Sequence, residues 1–154
     1  MGRRIPKLAW LAAIVVIAVI AGAAHNELLG PVIRADPIPA DDPLTIRFVL
    51  FNPAFTVTLR NVDMTCLPQS LSGYAKDGRA WIARGENFPL NVDLDVGPRM
   101  RFEYTCPIND AGFAGPVRRV TAKIAIAYTR FGRRAHAMSG MLTWDSASRV
   151  WVGR

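Results

Sequence analysis

The chain has 154 residues, 51% apolar and 20% charged, which is room for one domain and too apolar for a disordered chain. Two cysteines are too few for a cysteine-dense mini-scaffold or a four-cysteine zinc site. The formal charge of +7 is unevenly spread: residues 1–7 contribute +3, residues 25–116 carry eight basic and eleven acidic side chains, and residues 117–154 carry eight basic and one acidic.

Leu8 to Ala24 is a run of 17 uncharged, mostly apolar residues behind Arg3, Arg4 and Lys7. A helix crossing a bilayer needs about 17–25 such residues. Cations before the run keep the N-terminus in the cytoplasm and place the rest of the chain on the far side. Apolarity on every face argues against a buried core helix. The small residues Ala21 to Ala24 also offer cleavage sites, so a signal peptide is the alternative to a retained anchor. The run is longer than a signal-peptide core and rich in β-branched residues, which favours the anchor. Pro6 and Lys7 interrupt the apolar pair that a twin-arginine signal would need.

Residues 25–43 carry Pro31, Pro37, Pro39 and Pro43, a density that reads as an extended spacer between anchor and domain. An ordered edge strand around Val32 and Ile33 is the other reading of its first part. From residue 44 to residue 154 the pattern has period two, which marks half-buried strands. Leu44, Ile46, Phe48 and Leu50 share one face. After Asn52-Pro53, Phe55, Val57 and Leu59 alternate, and Val62, Met64 and Cys66 continue with opposite parity. The shift at Arg60-Asn61 predicts a β-bulge or a crossing between sheets.

Lys76-Asp77-Gly78 predicts a turn before a short strand at 79–83. Phe88 to Val96 and Met100 to Cys106 then read as a hairpin turned at Gly97-Pro98, with Arg99 and Arg101 facing Asp93 and Asp95. Residues 107–116 are loop-like. Val120, Ala122, Ile124, Ile126 and Tyr128 form the next inward set, and Gly132 sits in a turn. His136, Met138, Gly140, Leu142 and Trp144 are expected on one strand face, followed by a turn at 145–148 and a short strand at 150–152. The expected fold is all-β: an antiparallel immunoglobulin-like β-sandwich of seven or eight strands preceded by one transmembrane helix. A small barrel is the alternative.

Cys66 and Cys106 fall at inward positions, and an even cysteine count in an exported chain argues for a disulfide. Closing a loop of about 40 residues stabilises by roughly 4 kcal/mol in the chain-entropy model. No C-x-x-C, H-E-x-x-H, G-x-S-x-G, Walker or G-x-G-x-x-G pattern occurs, so no catalytic residue, metal ligand or cofactor is assigned and no enzyme is expected. Asp93 and Asp95 are two apart on one exposed strand face, where solvation explains them.

The basic last quarter stands apart. Arg118, Arg119, Lys123, Arg130, Arg133, Arg134, Arg149 and Arg154 concentrate there, and Arg130-Phe131-Gly132-Arg133-Arg134 puts three guanidiniums and an aromatic at one hairpin tip. Such clusters suit phosphate, carboxylate and anionic lipid surfaces. The contact residues are therefore Arg118, Arg119, Arg130, Phe131, Arg133 and Arg134, facing an anionic lipid or an acidic envelope protein. A solvated edge that discourages aggregation is the alternative. Specific nucleic-acid binding is not expected in this compartment.

The stretch Phe48 to Phe55, with Asn52-Pro53, then Val57, Leu59 and Val62, resembles the opening strands of late-embryogenesis-abundant type 2 (water-stress) domains. The whole chain also resembles small single-pass bacterial envelope proteins of unknown function, in its anchor, Tyr104-Thr105-Cys106-Pro107, Ile124 to Tyr128, Trp144 and Trp151. That likeness implies the inner membrane, with the domain in the periplasm. The functional expectation is a non-enzymatic, membrane-anchored binding or accessory module that contacts its partner through the Arg-rich hairpin. A carrier with a pocket between the sheets for a lipid or another apolar ligand is the second expectation.

Overall fold

The computed structural model describes residues 7–36, 40, 42–108 and 115–153. The basic tip at Arg3 and Arg4, the spacer residues Pro37, Pro39 and Asp41, the centre of the loop at 109–114, and Arg154 lie outside the described residues. Helix α1 (Lys7–Leu28) runs past Ala24 through His25, Asn26 and Glu27. Gly30-Pro31 ends it, since neither residue sustains a helix. At 22 residues it measures about 33 Å. It is long and apolar enough to cross a membrane, and its apolar stretch is not buried in the domain.

Ten strands follow among the described residues, where the sequence predicts seven or eight. Strands β1 (Val32–Ala35), β2 (Thr45–Phe51) and β6 (Arg101–Pro107) form a three-stranded antiparallel sheet in the order β1-β2-β6. The spacer segment thus contains a strand: β1 pairs with β2, and Ile33 is in the core.

The larger sheet is built on two long strands, β3 (Leu59–Tyr74) and β7 (Val117–Arg130), paired antiparallel along most of their length. On its other edge β3 takes two partners in turn: β5 (Phe88–Val96) along residues 59–66 and β4 (Ala80–Ala83) along 71–74. β7 likewise takes β8 (Arg133–Met138) along 125–130 and β9 (Leu142–Asp145) along 119–122, and β10 (Trp151–Val152) pairs with β9.

One core lies between the sheets. Ile46, Phe48 and Leu50 of β2 meet Leu59, Val62, Met64 and Leu71 of β3 and Val120 to Ile126 of β7. Alternation explains this burial: every inward residue predicted on β7 is buried. Each fully buried Leu, Ile, Phe or Val contributes roughly 1.5–3 kcal/mol relative to exposure.

The bulge expected near Arg60-Asn61 is present. The β3–β5 register shifts between Leu59 and Val62, and Asn61 takes φ +48°. The preceding alternation is not a strand, because residues 54–58 form a loop in which Phe55 is exposed. The sequence alternation did not mark β3 beyond Cys66. Pro68 is tolerated because it falls between the last pair with β5 (Cys66–Phe88) and the first with β4 (Leu71–Ala83), where that edge has no ladder. Gly73 is required by close packing: a Cβ there would stand 2.2 Å from the Pro116 carbonyl oxygen and 2.6 Å from the Trp81 ring.

Two further expectations are corrected. Phe88–Val96 and Arg101–Pro107 are not a hairpin: β5 belongs to the large sheet and β6 to the small one. The cross-strand ion pairs are replaced accordingly. Arg101 pairs with Glu103 on its own strand at 3.0 Å, and Asp95 accepts the Asn61 N–H at 3.0 Å. The face expected for His136 to Trp144 also breaks. The step Ala122–Ala125 on β7 is matched by Met138–Leu142, one residue longer, so parity flips. Ala135 and Ala137 turn toward the core, His136 and Met138 are exposed, and Leu142 and Trp144 are buried. Ser139 secures the bulge: its N–H donates to the Ile124 carbonyl, and its Oγ accepts the Ile124 N–H, both at 2.9 Å.

Candidate functional site

The cysteines are bonded. Cys66 of β3 and Cys106 of β6, both fully buried with Cα atoms 6.4 Å apart, tie the large sheet to the small one. Burial leaves no sulfur accessible to a substrate.

Among the described residues, the basic side chains of the last quarter do not form one patch. β7 carries Arg118 and Arg119 at its start and Arg130 at its end, roughly 40 Å apart at ordinary strand rise. Arg118 donates from Nη1 to the Tyr74 hydroxyl at 2.6 Å and lies over that ring at 5.5 Å. Arg119 is exposed opposite Asp145 of β9.

At the other end, β7 and β8 form the expected hairpin. Arg130 pairs with Arg133, and the two residues between them, Phe131 and Gly132, take φ +50° and +71°. Positive φ at both positions is the tight-turn geometry whose twist suits a hairpin. The three guanidiniums then diverge. Arg134 turns sideways across the sheet to the Asn61 carbonyl (2.8 Å) and the Asp63 carboxylate. Arg133 is exposed, and so is Phe131, to 65%. Arg130 points inward and is only 8% exposed.

Arg130 meets α1. Its Nη1 donates to the Leu29 carbonyl at 2.5 Å, one residue past the helix, while its guanidinium lies 5.2 Å from the Phe131 ring. A cation at a helix C-terminus offsets the partial negative charge of the last carbonyls. A second tie comes from Glu27, whose Oε1 accepts the Phe55 and Thr56 N–H groups at 2.7 and 2.8 Å. The helix end is therefore docked on two places in the domain, the 54–58 loop and the β7 terminus. This gathers exposed Phe55, Phe131 and Arg133 at the end of the domain that meets α1.

That end also holds Arg60, Arg99 and Arg101, which the sequence pattern marks as a bulge position and as partners of Asp93 and Asp95 rather than as site residues. They belong to a stretch with net negative charge, and segment-wise charge counting averaged them away. The register, with Arg60 opposite Thr129 and Arg101 opposite Phe51, brings two of them to this end, and the bond from the Arg99 N–H to the Ala54 carbonyl brings the third.

Among the described residues no group of three or more His, Cys, Asp or Glu side chains converges. His25 stands in α1 and His136 on the open face of β8. Burial pushes the Tyr104 phenol above its ordinary value of 10.0; its ring stacks between Phe48 and Phe102, with centroids 5.8 and 6.2 Å away. No protein-family model matches the chain, and no curated protein sequence matches it.

Proposed function

We propose that this protein is a non-enzymatic binding module anchored in the bacterial inner membrane by α1. In this reading its N-terminus is cytoplasmic and its domain, an immunoglobulin-like sandwich, is periplasmic. The end of the domain that meets α1 faces anionic headgroups, and the far end of β7 faces the acidic surface of an envelope partner. The observation that carries the reading is the bond from Arg130 to the Leu29 carbonyl. It sets the Phe131-Gly132-Arg133 tip beside the end of an apolar helix of membrane-spanning length. An exposed aromatic beside arginines suits a bilayer interface, and each arginine there contributes about 1 kcal/mol. Arg118 and Arg119, at the far end of β7, are left for a partner rather than the lipid.

The test uses the full-length protein in bilayers containing phosphatidylglycerol, with a nitroxide on a cysteine introduced at position 133 or 77. Since Cys66 and Cys106 are bonded, the new cysteine is the reactive thiol. The expected result is a label at 133 shielded from a water-soluble relaxation agent and a label at 77 open to it. Equal accessibility at both positions overturns the reading.

A further inference from the structure

The outer face of the three-stranded sheet carries an open groove of about 740 Å³. Register dictates its make-up. Val32, Phe51 and Arg101 lie side by side across the sheet, and Arg34, Val49 and Glu103 form the next outward row. Val49 is only 9% exposed although it faces away from the core. The floor is thus apolar, and three exposed arginines, Arg34, Arg99 and Arg101, stand around it.

Arg99 is placed there by the backbone. It takes φ +59°, a left-handed conformation that costs a residue with a side chain, and its N–H donates to the Ala54 carbonyl at 3.1 Å. Its guanidinium lies 5.2 Å from the Phe51 ring and 5.1 Å from the Phe55 ring. Glu103 is the carboxylate in these rows. It engages Arg101 at 3.0 Å in a pair more than half exposed on both sides, which a stronger anion can displace. Among the described residues the groove keeps a positive balance of three guanidiniums against one carboxylate. Its near end is lined by Asn26, in the last turn of α1.

We propose that this groove seats the headgroup of an anionic phospholipid from the leaflet in which α1 ends. The guanidiniums take the phosphate by paired N–H···O bonds. The Val49–Phe51 floor covers the glycerol and the first methylenes. The apolar floor and the position beside α1 favour a lipid over a soluble phosphate. The site lies on the sheet face, apart from the hairpin tip, and rests on the proposed reading that α1 crosses a bilayer and that the end of the domain beside it meets anionic headgroups.

The test is native mass spectrometry of the full-length protein in a neutral detergent, titrated with phosphatidylglycerol or phosphatidylcholine. One phosphatidylglycerol per chain is expected, retained at a concentration at least tenfold below that needed for phosphatidylcholine. The double variant R34Q/R101Q should weaken that retention at least tenfold, and K76Q/R84Q, which changes two exposed cations outside the groove, should leave it unchanged. If R34Q/R101Q lacks the parent's melting transition, R99Q replaces it with the same expected loss. Inorganic phosphate should not displace the lipid at matched concentration. Equal retention of both lipids, wild-type retention in the groove variants, or displacement by inorganic phosphate overturns the proposal. Loss in R133S/R134S alone places the lipid on the hairpin instead and overturns it too.

Discussion

Two stretches of this chain carry the same pattern, an alternating strand, a glycine-bearing turn and a second alternating strand, yet fold differently. Residues 117–138 form the β7–β8 hairpin. Residues 88–107 cross from one sheet to the other. The difference lies in the turn and in what meets it. In the hairpin the two connecting residues both take positive φ, so the chain reverses onto itself. In the crossing, four residues separate β5 from β6, and Pro98 restricts the backbone.

Asn52, fully buried at the end of β2, then holds the corner. Its Nδ2 donates to the Val57, Val96 and Gly97 carbonyls at 2.8, 3.1 and 3.1 Å, and its Oδ1 accepts the Ala54 N–H at 3.1 Å. Its own N–H donates to the Met100 carbonyl at 3.1 Å. A remote side chain therefore decides what the local pattern leaves open.

The largest expected effect comes from the bond that closes the crossing. Replacing both Cys66 and Cys106 by Ala releases β6 from β3 and should cost roughly 4 kcal/mol, by loss of loop-closure entropy restraint in the unfolded chain. Urea unfolding of the parent and the double variant measures it. An unchanged midpoint would mean that the crossing stands without its staple.

Next is Asn52→Asp, which keeps the shape but replaces the amide donor with a carboxylate facing three carbonyls. The buried acceptors lose their partner, at about 1–3 kcal/mol each in the worst case, and a loss of roughly 3 kcal/mol at neutral pH is expected. Protonation of the new carboxyl should recover part of it, so the deficit should shrink as pH falls. A deficit independent of pH would show that Asn52 acts by shape alone.

The glycines sharpen the contrast. At Gly132 a Cβ meets nothing within 4 Å, so Gly132→Ala should cost only the left-handed backbone term, about 1–2 kcal/mol. At Gly97 the φ is ordinary and a Cβ would meet the flexible Met100 side chain, 2.7 Å from Sδ. Gly97→Ala should therefore cost less than Gly132→Ala in paired melting curves. The reverse order would mean that the crossing, not the hairpin, is the turn that depends on glycine.

The smallest effect is a pH dependence carried by Tyr104 on β6. Burial raises its pKa above 10.0, so the folded state keeps a proton that the unfolded state has released. That contribution is fully present below about pH 10 and is lost as pH rises through the folded-state value. Tyr104→Phe should flatten the alkaline fall in stability and leave the neutral-pH slope unchanged. An identical alkaline slope in the variant would remove Tyr104 as its source.

The candidate site was less legible than the fold. Arg133 and Phe131 sit at an exposed tip, as their turn position implies, because Gly132 beside Phe131 is a local signal. Arg130 carries the same charge but lies on the inward parity of β7, in line with Tyr128, and its burial follows from that alternation. Its partner does not: the Leu29 carbonyl is 101 residues away. Arg34 and Arg101 are brought to one groove by the pairing of β1, β2 and β6, and Arg99 by its bond to the Ala54 carbonyl, none of which a spacing in the chain expresses.

What the sequence determined by itself was local. An uninterrupted apolar run made α1, period-two alternation set which faces of β2 and β7 are buried, and Gly132 marked the turn. What only the tertiary structure decided was partnership: β5 on β3 and β6 on β2, β1 within the sheet, and arginines distributed between two ends of the domain. The reason is physical. Alternation fixes the direction of a side chain relative to its own backbone, and a strand looks the same whichever sheet it joins. The choice of sheet depends on contacts made by remote residues, here a buried Asn52 and the Cys66–Cys106 bond.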